Sequence, residues 1–146
     1  MSYPLHNSIF FISVLSWFIA QVLKVIINYA HKKKIDLKLL LSSGGMPSSH
    51  SSFVCSTATS IGLIDGFYSN IFALALVMSL IVMYDAAGVR RAAGKQAAVI
   101  NIIVENIENQ GIKIDQRLKE LLGHSPIEVI SGALLGIFIS MTILIK

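Results

Sequence analysis

IFFISVLSWFIAQVLKVIINY, residues 9–29, decides the class of this chain. A helix over these 21 residues is about 30 Å long, enough to cross the hydrocarbon core of a bilayer. The run is not uniformly apolar: Gln21, Lys24 and Asn28 recur at spacings of three and four and so share one helix face. A lysine inside a span is costly unless its ammonium reaches the headgroups or meets a polar site, and the sequence leaves both readings of Lys24 open. The run ends in His31 and Lys32–Lys34 without a small-residue cleavage site, and the start MSYPLHNS lacks the basic residues of a signal peptide. A retained transmembrane helix is therefore expected.

Composition extends this reading to the whole of residues 1–146, a length that suits a single membrane-embedded domain. Hydrophobic residues make up 54% and charged residues 14%, against about 45–50% and about 25% in soluble domains. The apolar residues fall in long blocks rather than at a core-facing period, which argues against a soluble globular domain. The lone Cys55 cannot form a disulfide within the chain, so nothing points to redox chemistry.

Further apolar blocks run from about Ser49 to Ile64, from Asn70 to about Ala87 and from about Pro126 to Ile145. Asp65, Gly66 and Ser69 make a turn between the first two. From Lys95 to Gln110 the pattern changes: Asn101, Glu105 and Glu108 form a stripe among apolar residues, as in an amphipathic helix packed on the bundle or lying in the interface. Asp115 is placed to cap a short helix through Leu122. The expected fold is all-α: a polytopic helical membrane protein with about four transmembrane helices and an amphipathic segment on the cytoplasmic side. Lys32, Lys33, Lys34, Lys38, Arg90, Arg91, Lys95, Lys113, Arg117 and Lys119 all fall in two segments on one side of such a bundle. The positive-inside rule puts those segments in the cytoplasm and both termini outside, in a membrane expected to be the bacterial inner membrane. Four short spans bury little surface, so a homo-oligomer is a reasonable expectation.

Every candidate functional residue lands on that same side. Residues 42–52, SSGGMPSSHSS, combine two glycines, a proline suited to a first helical turn, small hydroxyl residues and His50. A helix start of this kind favours an anion such as phosphate, and His50, expected about one turn in, can give or take a proton. His124, Ser125, Pro126 and Glu128 admit two readings. Ser125 with Pro126 and Glu128 make a capping box, and Glu128, four residues after His124, could instead fix the tautomer of that imidazole and sharpen its other nitrogen as a nucleophile. Asp85 is expected to pair with one of the neighbouring arginines. With Arg90, Arg91 and Lys95 nearby and Lys24 a turn or so below, the set suits acid and base work on a phosphate group.

Pro47, Ser48, Ser49 and His50 resemble the second signature, Pro-Ser-Gly-His, of the type 2 phosphatidic acid phosphatase and vanadium haloperoxidase superfamily. His124 with Glu128 resembles the end of its third signature, a histidine followed four positions on by an aspartate. The pieces GGMPSSHS, YDAAGVR and LGHSPIEV, in this order, are similar to the small divergent bacterial and plant branch of that superfamily. The resemblance implies a metal-independent phosphatase without cofactor. In it His124 attacks phosphorus, Glu128 orients His124, His50 protonates the leaving alcohol, and Ser48, Ser49 and Arg90 or Arg91 hold the phosphoryl oxygens. The chain departs from the pattern at four places. The first signature is missing, and Lys24, with Lys38 behind it, is the candidate replacement. Ser49 replaces glycine, Glu128 replaces aspartate, and a whole amphipathic segment separates Arg91 from His124.

The function expected is hydrolysis of a lipid phosphomonoester such as phosphatidylglycerophosphate or phosphatidic acid, by a site facing the cytoplasm. The partners expected are the membrane and a phospholipid substrate, with no nucleic acid. Two other readings stand beside it. One is a non-catalytic membrane protein that binds or transports anionic lipids, which the basic loops support equally. The other is a metal site of His50, His124, Asp85 and Glu128, whose spacing matches no metal signature.

Overall fold

A computed structural model describes residues 8–33, 45–108, 118 and 124–145, and every element in them is a helix. The order is α1 (Ser8–Lys32), α2 (Ser49–Asp65), α3 (Asn70–Ala87), α4 (Val89–Glu108) and α5 (Pro126–Leu144). Among the described residues, three stretches are long and apolar enough to cross a membrane: Ser8–Ala30, Asn70–Asn106, which takes in α3 and runs into α4, and Pro126–Leu144. The protein is a helical membrane protein.

The helix that falls short of a span by composition is the one at the centre. α2 packs on α1, α3 and α5, whereas α4 touches only α3 among the described elements. Serines at 49, 51, 52, 56 and 60 make α2 too polar to face lipid. Surrounded by the other helices, it buries all five of them. The outer helices show the reverse pattern, exposing Phe11, Phe18, Leu74, Ile81, Leu134 and Phe138 where a bilayer supplies the apolar surroundings.

Several hydroxyls of α2 meet partners on neighbouring helices. Ser52 and Ser16 hydroxyls are 2.6 Å apart, Thr57 donates to Ser13 at 2.8 Å, and Ser56 and Ser140 hydroxyls are 2.8 Å apart. On the α3 side Ser79 donates to the carbonyl of Val54 at 2.9 Å. Such bonds contribute only about 0.6 kcal/mol each within a membrane, so they fix register more than they hold the bundle together. The close approach of α5 supplies what they do not. A Cβ at Gly132 would lie 2.2 Å from the carbonyl oxygen of Ser48, and one at Gly136 would lie 2.3 Å from that of Ser52. With Ser140 these glycines form a stripe of small residues at spacings of four, letting the two backbones touch.

Helix starts are set by side-chain caps. Ser48 caps α2 by accepting from the N–H of Ser51 at 3.3 Å, Ser69 caps α3 by accepting from Phe72 at 3.2 Å, and Ser125 caps α5. Pro47 therefore stands just outside α2, before the cap, instead of in its first turn, and follows a cis peptide bond from Met46. α4 begins at Val89, earlier than the amphipathic pattern from Lys95 suggests, because the helical bonds resume at once after Gly88 with the N–H of Ala92 donating to its carbonyl. The short helix expected over 115–122 lies outside the described residues except for Leu118, which is not helical.

Gly136→Ala forces a Cβ into the Ser52 backbone, and overpacking of this kind costs about 1–3 kcal/mol. Thermal unfolding in detergent should show Gly136→Ala melting well below the parent, while Ser56→Ala, which loses hydroxyl bonds only, melts close to it.

Candidate active site

The caps of α2 and α5 lie side by side at one end of the bundle. Ser48 donates its N–H to the carbonyl of Glu128 at 2.9 Å, which ties the entry of α2 to the first turn of α5. His124, just before α5, donates its N–H to the carbonyl of Ala86 at 2.9 Å and is thereby fastened to the end of α3. Three helices thus fix the backbone around two imidazoles. His50, the second residue of α2, and His124 have ring centroids 6.3 Å apart with planes at 61°, an edge-to-face arrangement rather than a stack. His50 therefore sits within the first turn of α2, closer to its end than one full turn in.

Glu128 reconciles the two readings that the sequence leaves in competition. Its Oε2 accepts from the N–H of Ser125 at 3.0 Å, and Ser125 Oγ accepts from the N–H of Glu128 at 3.4 Å, so the capping box is complete. The same Oε2 lies 3.0 Å from His124 Nδ1. A carboxylate oxygen can accept both bonds, so one atom starts the helix and holds the imidazole. A neutral ring that donates from Nδ1 to this carboxylate has its lone pair on Nε2.

Lys24 enters from α1. It lies about 12 Å short of the end of α1, eight residues before Lys32 at 1.5 Å per residue. Its side chain is 1% exposed, so it does not run out to the helix end, and the polar-pocket reading describes its position. Gly45 lies against it. This residue has φ +96°, and a Cβ there would lie 3.1 Å from Lys24 Cγ and 3.2 Å from Cδ. The loop backbone therefore rests directly on the lysine stem, where its ammonium lies within electrostatic reach of Glu128. Gln21, one turn earlier on the same face, is buried too.

The remaining candidates divide. Ser48 and Ser49 are buried at the start of α2. Ser48 Oγ already accepts from both the N–H and the hydroxyl of Ser51, so only its own O–H is left to donate. Ser49 and His50 are the first two helical residues, whose N–H groups have no acceptor within the helix. Arg90 and Arg91 fall in the first turn of α4, immediately beyond the Ala86 anchor, and their side chains lie outside the described residues. Lys95 is exposed on α4, outside the buried cluster. Asp85 is half-buried at the end of α3. Among the described residues no group of three or more metal-ligating side chains converges.

Sequence reasoning missed three positioning features: Gly45, Ser51 and the Ala86 carbonyl. The glycines at 44 and 45 were legible as a loop, but which of them meets Lys24 depends on the packing of α1. No residue type signals a backbone carbonyl that anchors a distant histidine.

The chain belongs to the divergent PAP2 family, whose model matches residues 5–139. It is 43% identical over 135 residues to the uncharacterized membrane protein YuiD of Bacillus subtilis (strain 168), a match covering 85% of each chain. No solved structure matches it.

The shared oxygen of Glu128 makes a stability order predictable. Ser125→Ala removes one cap bond and should cost about 0.5–2 kcal/mol. Glu128→Ala should cost more, because Ser125, His124 and Lys24 all lose the same partner. Glu128→Gln, which keeps an acceptor oxygen, should melt between Glu128→Ala and the parent in detergent.

Proposed function

We propose that this protein is a membrane phosphatase that removes the phosphate from a lipid phosphomonoester through a phosphohistidine at His124. The observation that carries the reading is the 3.0 Å contact of His124 Nδ1 with Glu128, beside a second imidazole at 6.3 Å. In the first step the Nε2 lone pair of His124 attacks phosphorus, the phosphorus–oxygen bond to the lipid alcohol breaks, and His50 gives that oxygen a proton. In the second step His50 takes a proton from water, the water oxygen attacks the phosphohistidine, and inorganic phosphate leaves with Nε2 restored. Glu128 stabilises the positive charge that grows on the His124 ring during attack.

The phosphoryl oxygens are held by Lys24, the hydroxyls of Ser48 and Ser49, the first N–H groups of α2, and Arg90 or Arg91. Lys24 takes the place of the missing first-signature cation, a role supported by its burial beneath Gly45 beside Glu128. Lys95 and the other exposed basic residues draw in anionic lipid without touching the reacting group.

The site opens to the cytoplasm. Lys32 ends α1 with Lys33 next to it, and Arg90, Arg91 and Lys95 lie in the first two turns of α4, both at the end of the bundle that carries the two histidines. The positive-inside rule puts that end in the cytoplasm. Lipids made on that face, phosphatidylglycerophosphate or phosphatidic acid, are the substrates it fits.

Purified protein in detergent should release phosphate from one of these lipids in excess chelator and be inhibited by vanadate. His124→Ala should be inactive, and His50→Ala slower by about 10²–10⁴-fold, the usual share of a general acid. Enzyme quenched in alkaline detergent should carry acid-labile label from a phosphate-labelled substrate on a histidine, and lose it in His124→Ala. Gly45→Ala, which pushes on the Lys24 stem, should raise KM more than it lowers kcat. Absence of release from any lipid phosphate by folded protein, with lipid binding unchanged in His124→Ala, would replace this reading with headgroup binding. A reporter fused at Lys33 that is active only outside the cytoplasm would overturn the assigned face.

A further inference from the structure

The amphipathic helix α4 is turned inside out. Gly94, Ala97 and Asn101 form its buried side, while Val99, Ile100, Ile102 and Ile103 are between 45% and 59% exposed. The polar member of the buried side is used: Asn101 donates its amide to the carbonyl of Leu118 at 2.8 Å and accepts from the Leu118 N–H at 2.9 Å. A helix that turns its asparagine inward onto backbone and its isoleucines outward is built for surroundings other than water.

What those surroundings are follows from where α4 begins. It starts one residue after α3, whose own residues Leu74, Val77, Leu80 and Ile81 are exposed in the same way along a membrane span. The apolar surface of α4 is therefore continuous with a surface that faces lipid. The Ala86 carbonyl, which an unbroken helix would offer to residue 90, receives the N–H of His124. That diversion falls at the junction of the two helices, where a bend has a structural cause. The charge is also graded: positions 90, 91 and 95 are basic, and no acidic residue occurs in α4 before Glu105. Basic residues at the membrane-proximal end and an apolar outer arc match the boundary between anionic headgroups and acyl chains.

We propose that α4 lies in the headgroup–acyl boundary of the bilayer with Val99, Ile100, Ile102 and Ile103 seated among the acyl chains. Its first turn then contacts anionic headgroups. The helix forms an in-plane floor beside the site, and lipid at that depth reaches the two histidines laterally. This placement rests on the membrane class alone and does not depend on the phosphatase reading.

The test uses the full chain with Cys55→Ala, reconstituted in vesicles of anionic and zwitterionic phospholipid. Single cysteines replace Val99, Ile103 or Glu105 and carry an environment-sensitive fluorophore. Residue 105 lies on the opposite side of the helix from 103 and serves as the water-facing reference. The expected result is blue-shifted emission and loss of most fluorescence to a lipid-borne quencher at 99 and 103, with aqueous iodide quenching 105. Equal iodide quenching at 103 and 105 would overturn the proposal, since the arc would then lie in water. So would efficient disulfide formation between Ile103→Cys copies at high dilution in lipid, which would make a second copy the occupant. All three positions are exposed, so retained elution and helix content in detergent separate a labelling result from misfolding.

Discussion

The backbone contact between α2 and α5 is the constraint on which the rest depends. Only hydrogen at positions 132 and 136 lets the carbonyls of Ser48 and Ser52 approach as they do. That approach brings the Ser48 N–H onto the carbonyl of Glu128, and so places the start of one helix against the start of another. Each start carries a histidine: His50 in the first turn of α2, His124 immediately before α5. The two positive dipole ends and two imidazoles therefore meet because two glycines, one and two turns along α5 from Glu128, allow the helices to touch.

At the site itself a single oxygen links stability to chemistry. Glu128 Oε2 serves the Ser125 N–H and His124 Nδ1 together. A capping box that only ended a helix would not need its carboxylate beside a buried imidazole, and an orienting carboxylate alone would not need a serine three residues before it. Using one atom for both keeps the imidazole from drifting, since any movement of the carboxylate would also cost the cap. The position of the His124 imidazole is thus tied to a local folding element rather than to a long network.

The sequence was legible where the bilayer dictates composition. The apolar blocks that became α1, α3 and α5 were visible from length and hydropathy, because lipid-facing helices must be apolar on most sides. α2 was read as one more apolar block, but its central place was not legible, because its serines suit a helix shielded by three others, and shielding is a property of the assembly. The spacing from His124 to Glu128 was readable, yet on its own it favoured the capping box over a bond to the imidazole, and only coordinates could reveal that one oxygen makes both contacts. Lys24 was undecided: its stem has the reach to snorkel, and the glycine with positive φ that lies against it comes from a different segment. Pro47 looked like a first-turn residue, and the choice of Ser48 as cap moved the helix start past it.

The burial of Lys24 bears on what the site is for. A lysine about 12 Å inside the end of a span is expensive to keep charged, and its attraction to Glu128 offsets that only in part, since the carboxylate already serves two other donors. A purely structural role would be met better by leucine or methionine. Glycine at 45 adds to the cost through its backbone entropy, and the atoms nearest to where a Cβ would stand are methylenes of that lysine. Two unfavourable choices that serve each other, beside paired histidines and helix starts, are understandable if a doubly charged anion enters the pocket. Such an anion would meet the ammonium of Lys24 there. A headgroup binder could use that charge as well as an enzyme could. What a binder would not need is an imidazole whose Nδ1 is held by a carboxylate, so a chemical role, as proposed, would fall to His124 rather than to Lys24.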